Sequence, residues 1–243
     1  MECQIFLEWI YLNKMKKLIF LTAIAFSFFS CSEKQVGNLS LEGEIKGLKQ
    51  GTIYIKTANE TGLVTLDSIV FEGKSTFKRS LQIDEPQVLY FSLNRGVSNS
   101  IDNDLMFFAE PGQMKINSTL DRFYGDAKIE GSENQKVLDK YFSVKRTLVN
   151  RQNDLIKDQL LYGKSGNQIK ADSLDVLIQK MKLRIYLNAV NFALKNKDKE
   201  IAPYLAITEV APISEKYLDT IQKSLTENVT KSLYGKTLVE MNK

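Results

Sequence analysis

Apolar and polar residues alternate from Leu39 to Lys46, so Leu39, Leu41 and Ile45 share one face of a half-buried strand. Gly47 and Gly51 bracket a turn, and Thr52–Lys56 is expected to return as the hairpin partner of that strand. Short apolar or alternating runs of the same kind predict strands at Val64–Phe71, Phe77–Ile83, Gln87–Leu93, Leu105–Ala109, Met114–Ser118 and Ala127–Glu130. Between them Glu72-Gly73, Glu85-Pro86 and Glu110-Pro111-Gly112 supply turn chemistry, because proline pre-sets one backbone angle and glycine frees both. Short strands joined by close turns predict an antiparallel β-sandwich or open barrel. Its longest loop is Asn94–Asp104.

The period changes at Ser132. Ser132-Glu133-Asn134-Gln135 has the spacing of a capping box, in which serine and glutamine satisfy the free amides of a helix start. Leu138, Tyr141, Phe142, Leu148, Val149, Leu155, Ile156 and Leu160 then recur at helical spacing. Gly163–Gly166 interrupts the pattern, and Ser173 is placed to cap a second helix carrying Leu174, Leu177, Ile178, Met181, Ile185 and Phe192. Two long amphipathic helices with a short break predict an antiparallel helical hairpin. Pro203 and Pro212 punctuate shorter helices, with Leu218, Ile221, Leu225 and Leu238 on the last ones. The fold class is therefore α+β, an antiparallel β domain over 38–131 followed by an α-helical domain over 132–243.

Ahead of both lies Met15–Ser32, MKKLIFLTAIAFSFFSCS. Two lysines, an apolar run of about twelve residues and a closing cysteine are the layout of a secretory signal ending in a lipid-accepting residue. Ser30 is small as such a signal requires, although Phe29 is bulkier than usual. A transmembrane helix is the first alternative, but it needs roughly 20 apolar residues. Lys14, Lys16 and Lys17 cut this run short. An ordinary signal with an incidental cysteine is the second. The expectation is a signal region over 1–30 with translation starting at Met15, and a tether over 31–37 acylated at Cys31. That places the protein in the cell envelope, held to the membrane by its lipid. Ser32 after the cysteine favours the outer membrane and leaves the face open.

The chain has 33 basic and 29 acidic residues, a net charge of +4, and removal of residues 1–30 leaves +3. That is too small and too evenly spread to argue for nucleic acid. There is no histidine, which excludes a Ser-His-Asp triad, a Cys-His pair and a histidine-ligated metal. Cys3 and Cys31 are the only cysteines, so no Cys-x-x-C redox pair exists. No cofactor and no metal are expected. The sole tryptophan, Trp9, precedes Met15, so ring stacking on carbohydrate is weakened too.

Ser75-Thr76-Phe77-Lys78 spells the S-x-x-K of penicillin-recognising enzymes, but it lies in a strand pattern and its S-D-N and K-T-G partners are missing. Gly163-Lys164-Ser165 resembles the end of a phosphate-binding loop, yet Asp158 stands where the first glycine belongs. Asp102-Asn103-Asp104 offers oxygens without the spacing of a calcium loop. Glu42 and Glu44 point the same way from one strand, where outward polar positions explain them as well as paired catalytic carboxylates would. None completes a catalytic motif, and the protein is expected not to be an enzyme.

Gly43-Glu44-Ile45-Lys46-Gly47-Leu48, Gly51-Thr52-Ile53-Tyr54-Ile55, Leu66-Asp67-Ser68-Ile69, Gly73 with Phe77, Glu110-Pro111-Gly112 and Ile129-Glu130-Gly131-Ser132 together carry a family resemblance. Residues 39–134 resemble the N-terminal β domain of unknown function of Bacteroidota envelope lipoproteins, often followed by a thioredoxin-like module. Asp67-Ser68-Ile69, Asp172-Ser173-Leu174 and Asp219-Thr220-Ile221 also resemble the short O-glycosylation acceptor of those bacteria. The helical part, including Ser232-Leu233-Tyr234-Gly235, resembles the linker ahead of the thioredoxin module. The redox activity the family implies cannot be carried over, because its cysteines are absent. The expected function is a non-catalytic envelope lipoprotein binding a partner protein or small ligand. The candidate surface is the loop bearing Asn94, Arg95, Ser98, Asn99, Asp102 and Asp104, together with exposed sheet edges. The alternative is an accessory, or truncated relative, of a thioredoxin-like thiol–disulfide system.

Overall fold

The strand pattern resolves into eight strands in two four-stranded sheets. The computed structural model describes residues 37–59, 62–94, 101–211 and 214–242. One sheet contains β1 (Leu39–Lys46), β4 (Thr76–Leu81), β7 (Gly112–Thr119) and β8 (Lys128–Glu130), in the order β4-β1-β7-β8. The other contains β2 (Gln50–Asn59), β3 (Gly62–Glu72), β5 (Gln87–Leu93) and β6 (Asp104–Ala109), in the order β3-β2-β5-β6.

The expected hairpin of the first two strands does not form. β1 pairs antiparallel with β4 and parallel with β7, while β2 pairs with β3 and β5. After Lys46 the chain turns through Gly47 (φ 89°) and crosses between the sheets, burying Leu48 on the way. The parallel pairing needs Gly43, whose added Cβ would stand 1.8 Å from the Ile116 carbonyl oxygen. Alternation reveals which face a residue occupies, whereas the neighbouring strand depends on contacts of this kind.

Between the sheets Leu39, Leu41, Ile45, Met114 and Ile116 meet Ile53, Ile55, Phe91 and Phe107, all essentially inaccessible. Phe77, Phe91 and Phe107 stack edge to face, with centroids 5.6 and 5.0 Å apart, the geometry that ring quadrupoles favour. The sheet containing β5 is covered on its other side as well. Val88 and Phe108 are buried there beneath Leu138, Tyr141, Ala189, Ile201 and Leu205 of the helical part. Strands and helices thus share one compact unit, Val36–Lys243.

Helix α1 (Glu133–Lys164, 32 residues) and helix α2 (Gln168–Lys195, 28 residues) form the expected antiparallel hairpin, turning at Gly166 with φ 74°. The Ser132 hydroxyl accepts from Gln135 N (2.9 Å) as foreseen. The Gln135 side chain makes a tertiary contact, its oxygen accepting from Phe108 N of β6 at 2.7 Å. Ser173 does not cap α2. The helix starts earlier, where Asn167 accepts from Lys170 N (3.2 Å), and the Ser173 hydroxyl donates to the Ile169 carbonyl one turn back. Helix α3 (Ile201–Leu205) leads directly into a π-helical turn, Ala206–Val210, and α4 (Glu215–Ser224), α5 (Glu227–Thr230) and α6 (Leu233–Met241) complete the chain.

Candidate functional site

The anticipated loop is only partly available for contact. Arg95, Ser98 and Asn99 lie outside the described residues, as does Cys31. Asn94 is exposed at the end of β5, its N–H donating to the Thr52 carbonyl at 3.3 Å. The Asp102 carboxylate accepts from the backbone N–H groups of Phe123 and Tyr124, both at 2.9 Å. Asp104, at the start of β6, accepts from the Ser92 hydroxyl. Both carboxylates therefore hold neighbouring strands and loops in place.

The sheet edges differ sharply in how they are protected. On β6 the amide of Phe108 is taken by Gln135 of α1. β8 is three residues long, and β4 carries Lys78 and Arg79. These are the ordinary devices that discourage strand addition: a cover, shortness and charge. β3, Gly-Leu-Val-Thr-Leu-Asp-Ser-Ile-Val-Phe-Glu, is eleven residues long and has only a bulge near Leu66 and one mid-strand charge, Asp67, as protection. One edge pairs with β2 along its length, with a register shift opposite Ile55 and Lys56, and the other edge ends the sheet. Ile69 and Phe71 point into the core, while Leu63, Val64, Leu66 and Val70 stay 41–62% exposed.

The one charge in mid-strand is already engaged. Asp67 receives two hydrogen bonds from the Arg79 guanidinium, both 2.6 Å, across the seam between β3 and β4. Those bonds hold its carboxyl below the ordinary value despite partial burial. The same carboxylate accepts from the Ser68 amide (2.7 Å), so β3 presents its extended backbone on either side of that point, flanked by apolar side chains, the arrangement that accepts a further strand by main-chain hydrogen bonding.

Sequence reading missed a second region partway along the helical hairpin, beside the π-helical turn. Gln152, Gln179, Lys182, Leu183, Ile185, Tyr186, Ala189 and Glu209 line a groove of about 550 Å³. Glu209 sits on the π-helical turn and binds the Lys145 ammonium through both oxygens, at 2.7 and 2.8 Å. The Tyr141 hydroxyl is buried beside it, and desolvation, reinforced by the Glu209 charge, pushes it far above the usual phenol range. A π turn displaces a helix register by tertiary packing and has no simple signature in apolar spacing.

The chemical motifs take structural roles. The Ser75 hydroxyl donates to Glu44 (2.8 Å) while its carbonyl accepts from Ile45 N (2.8 Å), fastening the turn before β4 onto β1. Glu42 is exposed opposite Lys78 in the β1–β4 register. Among the described residues no three acidic or cysteine side chains converge as metal ligands, and no helix is long and apolar enough to cross a membrane.

Residues 39–138 match a protein family described as a Domain of unknown function (DUF4369), covering every strand and the start of α1. This agrees with the resemblance of the β domain to a family of unknown function. No curated protein and no solved structure matches the chain.

Proposed function

We propose that this chain is a non-catalytic, lipid-anchored protein of the cell envelope that binds a partner protein by strand addition at β3. The observation that carries the reading is that edge: eleven residues long, paired on one side, and flanked by four exposed aliphatic side chains. Natural sheets rarely leave such an edge uncovered, since it templates association with another chain. The anchor rests on Cys31 and the run before it, and predicts acyl chains on the native cysteine.

A photoreactive side chain at Val70, facing out from β3, tests the reading in intact cells of the native host. The expected result is one cross-linked product of defined mass, lost when Leu66→Lys and Val64→Lys place charge on the edge. The reading fails if no product forms at Val70, or if the lysine substitutions leave it unchanged. A partner bearing a Cys-x-x-Cys pair would place the chain in a thiol–disulfide system as an accessory. Cys31→Ala should release the protein from the membrane fraction, and retention there would remove the lipid anchor.

A further inference from the structure

The far end of the helical hairpin has a composition that its position in the fold does not explain. At 1.5 Å per residue α1 is about 48 Å long, and only its first turns lie against the sandwich. At the distal end every residue from Leu160 to Lys170 is exposed. Leu160, Leu161, Tyr162 and Ile169 are among them, Ile169 at 82% and Leu160 at 61%. Their combined apolar surface is on the order of 400 Å², the size of the largest patch on a typical monomer, which is often a functional one. Lys157, Lys164 and Lys170 surround them with two acids, Asp158 and Asp172, the latter accepting from the Gln168 side chain (2.7 Å), and the Lys170 ammonium lies 4.9 Å from the centre of the Tyr162 ring.

The distribution of these side chains selects the kind of partner. Leu160, Leu161 and Tyr162 are consecutive, so at about 100° per residue they spread over some 200° of the helix circumference. Ile169 adds the neighbouring helix. A protein groove, or the hairpin of a second copy, covers one stripe of a helix about 100° wide and would leave part of this cap in water. A fluid apolar medium surrounds a tip from all sides. Lysines with long aliphatic stems suit its rim, since they keep their charge among the headgroups while the stem lies in the apolar layer. A tyrosine ring, apolar with one polar end, suits the same depth.

We infer that the tip of the α1–α2 hairpin, centred on Leu160, Leu161, Tyr162 and Ile169, inserts into the interfacial layer of an anionic lipid membrane. Three lysines against two aspartates leave the cap a net charge of +1, with Lys164 and Lys170 nearest the turn and facing the anionic headgroups. Insertion is shallow, because the apolar cap spans only the end of two helices. This contact is separate from the β3 edge and does not depend on it.

The test uses the chain from Cys31 with Cys31→Ala, which keeps the compact unit whole and contains no tryptophan, with an indole added either at the tip (Leu161→Trp) or on the sandwich (Leu63→Trp), and the chain without an added indole as the baseline. Each protein is mixed with vesicles of brominated phosphatidylcholine, with or without about 30% phosphatidylglycerol, which supplies the anionic surface. With the anionic vesicles, the tip indole should shift to the blue and lose about half its added emission, as expected for a group about 5–10 Å into the headgroup and acyl boundary. The sandwich indole should stay at baseline. Lys164→Glu with Lys170→Glu should raise the lipid concentration needed for quenching by about tenfold. Absence of quenching at the tip, equal quenching at both positions, or no effect of charge reversal would overturn the inference. So would a blue shift at the tip without vesicles that grows with protein concentration, which would assign the cap to a second copy.

Discussion

Asn134→Asp changes one NH2 group to an oxygen at the point where sandwich, hairpin and α3 meet. Asn134 is 3% exposed. Its side-chain oxygen accepts from Ile201 N (2.8 Å), and its nitrogen donates to Glu110 and to Glu200 (2.8 Å to the latter). Glu110 also accepts from the backbone amides of Glu133 (3.0 Å) and Asn134 (2.9 Å), closing the start of α1. The substitution keeps the shape and the acceptor for Ile201, but it removes both donations and sets a third carboxyl between two others. Each lost bond to a charged acceptor contributes about 1.5–3 kcal/mol. Two like charges about 4 Å apart repel by about 4 kcal/mol at an effective dielectric of about 20, which the new carboxyl avoids by keeping its proton. Lys136, which faces Glu110, offsets part of this. The expected cost at neutral pH is about 3–5 kcal/mol, a large part of the 5–15 kcal/mol typical of a whole domain.

The pH dependence has a definite sign. The new carboxyl has a folded pKa above its unfolded value of about 3.9, so between the two values the folded state binds the extra proton. The variant therefore loses stability, relative to wild type, as pH rises through that window and recovers as pH falls toward about 4. Urea unfolding followed by far-ultraviolet circular dichroism at about pH 4.5 and 7 measures both differences. Glu200→Gln in the same background should restore part of the loss at pH 7. A variant within about 1 kcal/mol of wild type at pH 7, or equally destabilised at both pH values, would refute this account of the joint.

Two further outcomes follow from the packing. Tyr234→Phe keeps the ring against Phe108 (5.9 Å) and Tyr204 (5.1 Å) but leaves the Val88 amide without the hydroxyl that accepts from it at 2.8 Å. Equilibrium unfolding should show a loss of about 1–3 kcal/mol, and a loss below about 0.5 kcal/mol would mean that the amide finds another partner. Gly43→Ala forces a methyl group against the Ile116 carbonyl in the parallel β1–β7 pair, and a melting curve should show at least 1–3 kcal/mol of destabilisation or failure to fold. Wild-type stability in that variant would show that β1 and β7 can separate at little cost.

The resemblance of Ser232-Leu233-Tyr234-Gly235 to a linker acquires a physical meaning in the fold. Tyr234 fastens the last helix to β5 through Val88, and Gly235 has no room for a Cβ, which would stand 2.0 Å from the Val229 carbonyl oxygen. In this chain the segment holds the C-terminal helices onto the sandwich.

Local pattern alone determined the eight strands, the change to helix at Ser132 and the turn between the long helices, because each is encoded in neighbouring residues. Alternation assigns a face, serine before a helix assigns a start, and glycine permits a turn. Tertiary structure alone decided that β1 lies beside β4 and β7, that Gln135 binds Phe108, and that a π turn follows α3. Each of these depends on groups distant in sequence satisfying one another once water is excluded, and no local period records that. The same division holds for the candidate surfaces. The aliphatic residues of β3, and Leu160 at the hairpin tip, belong to ordinary strand and helix patterns in the sequence. Only the fold shows that nothing in the described chain covers them.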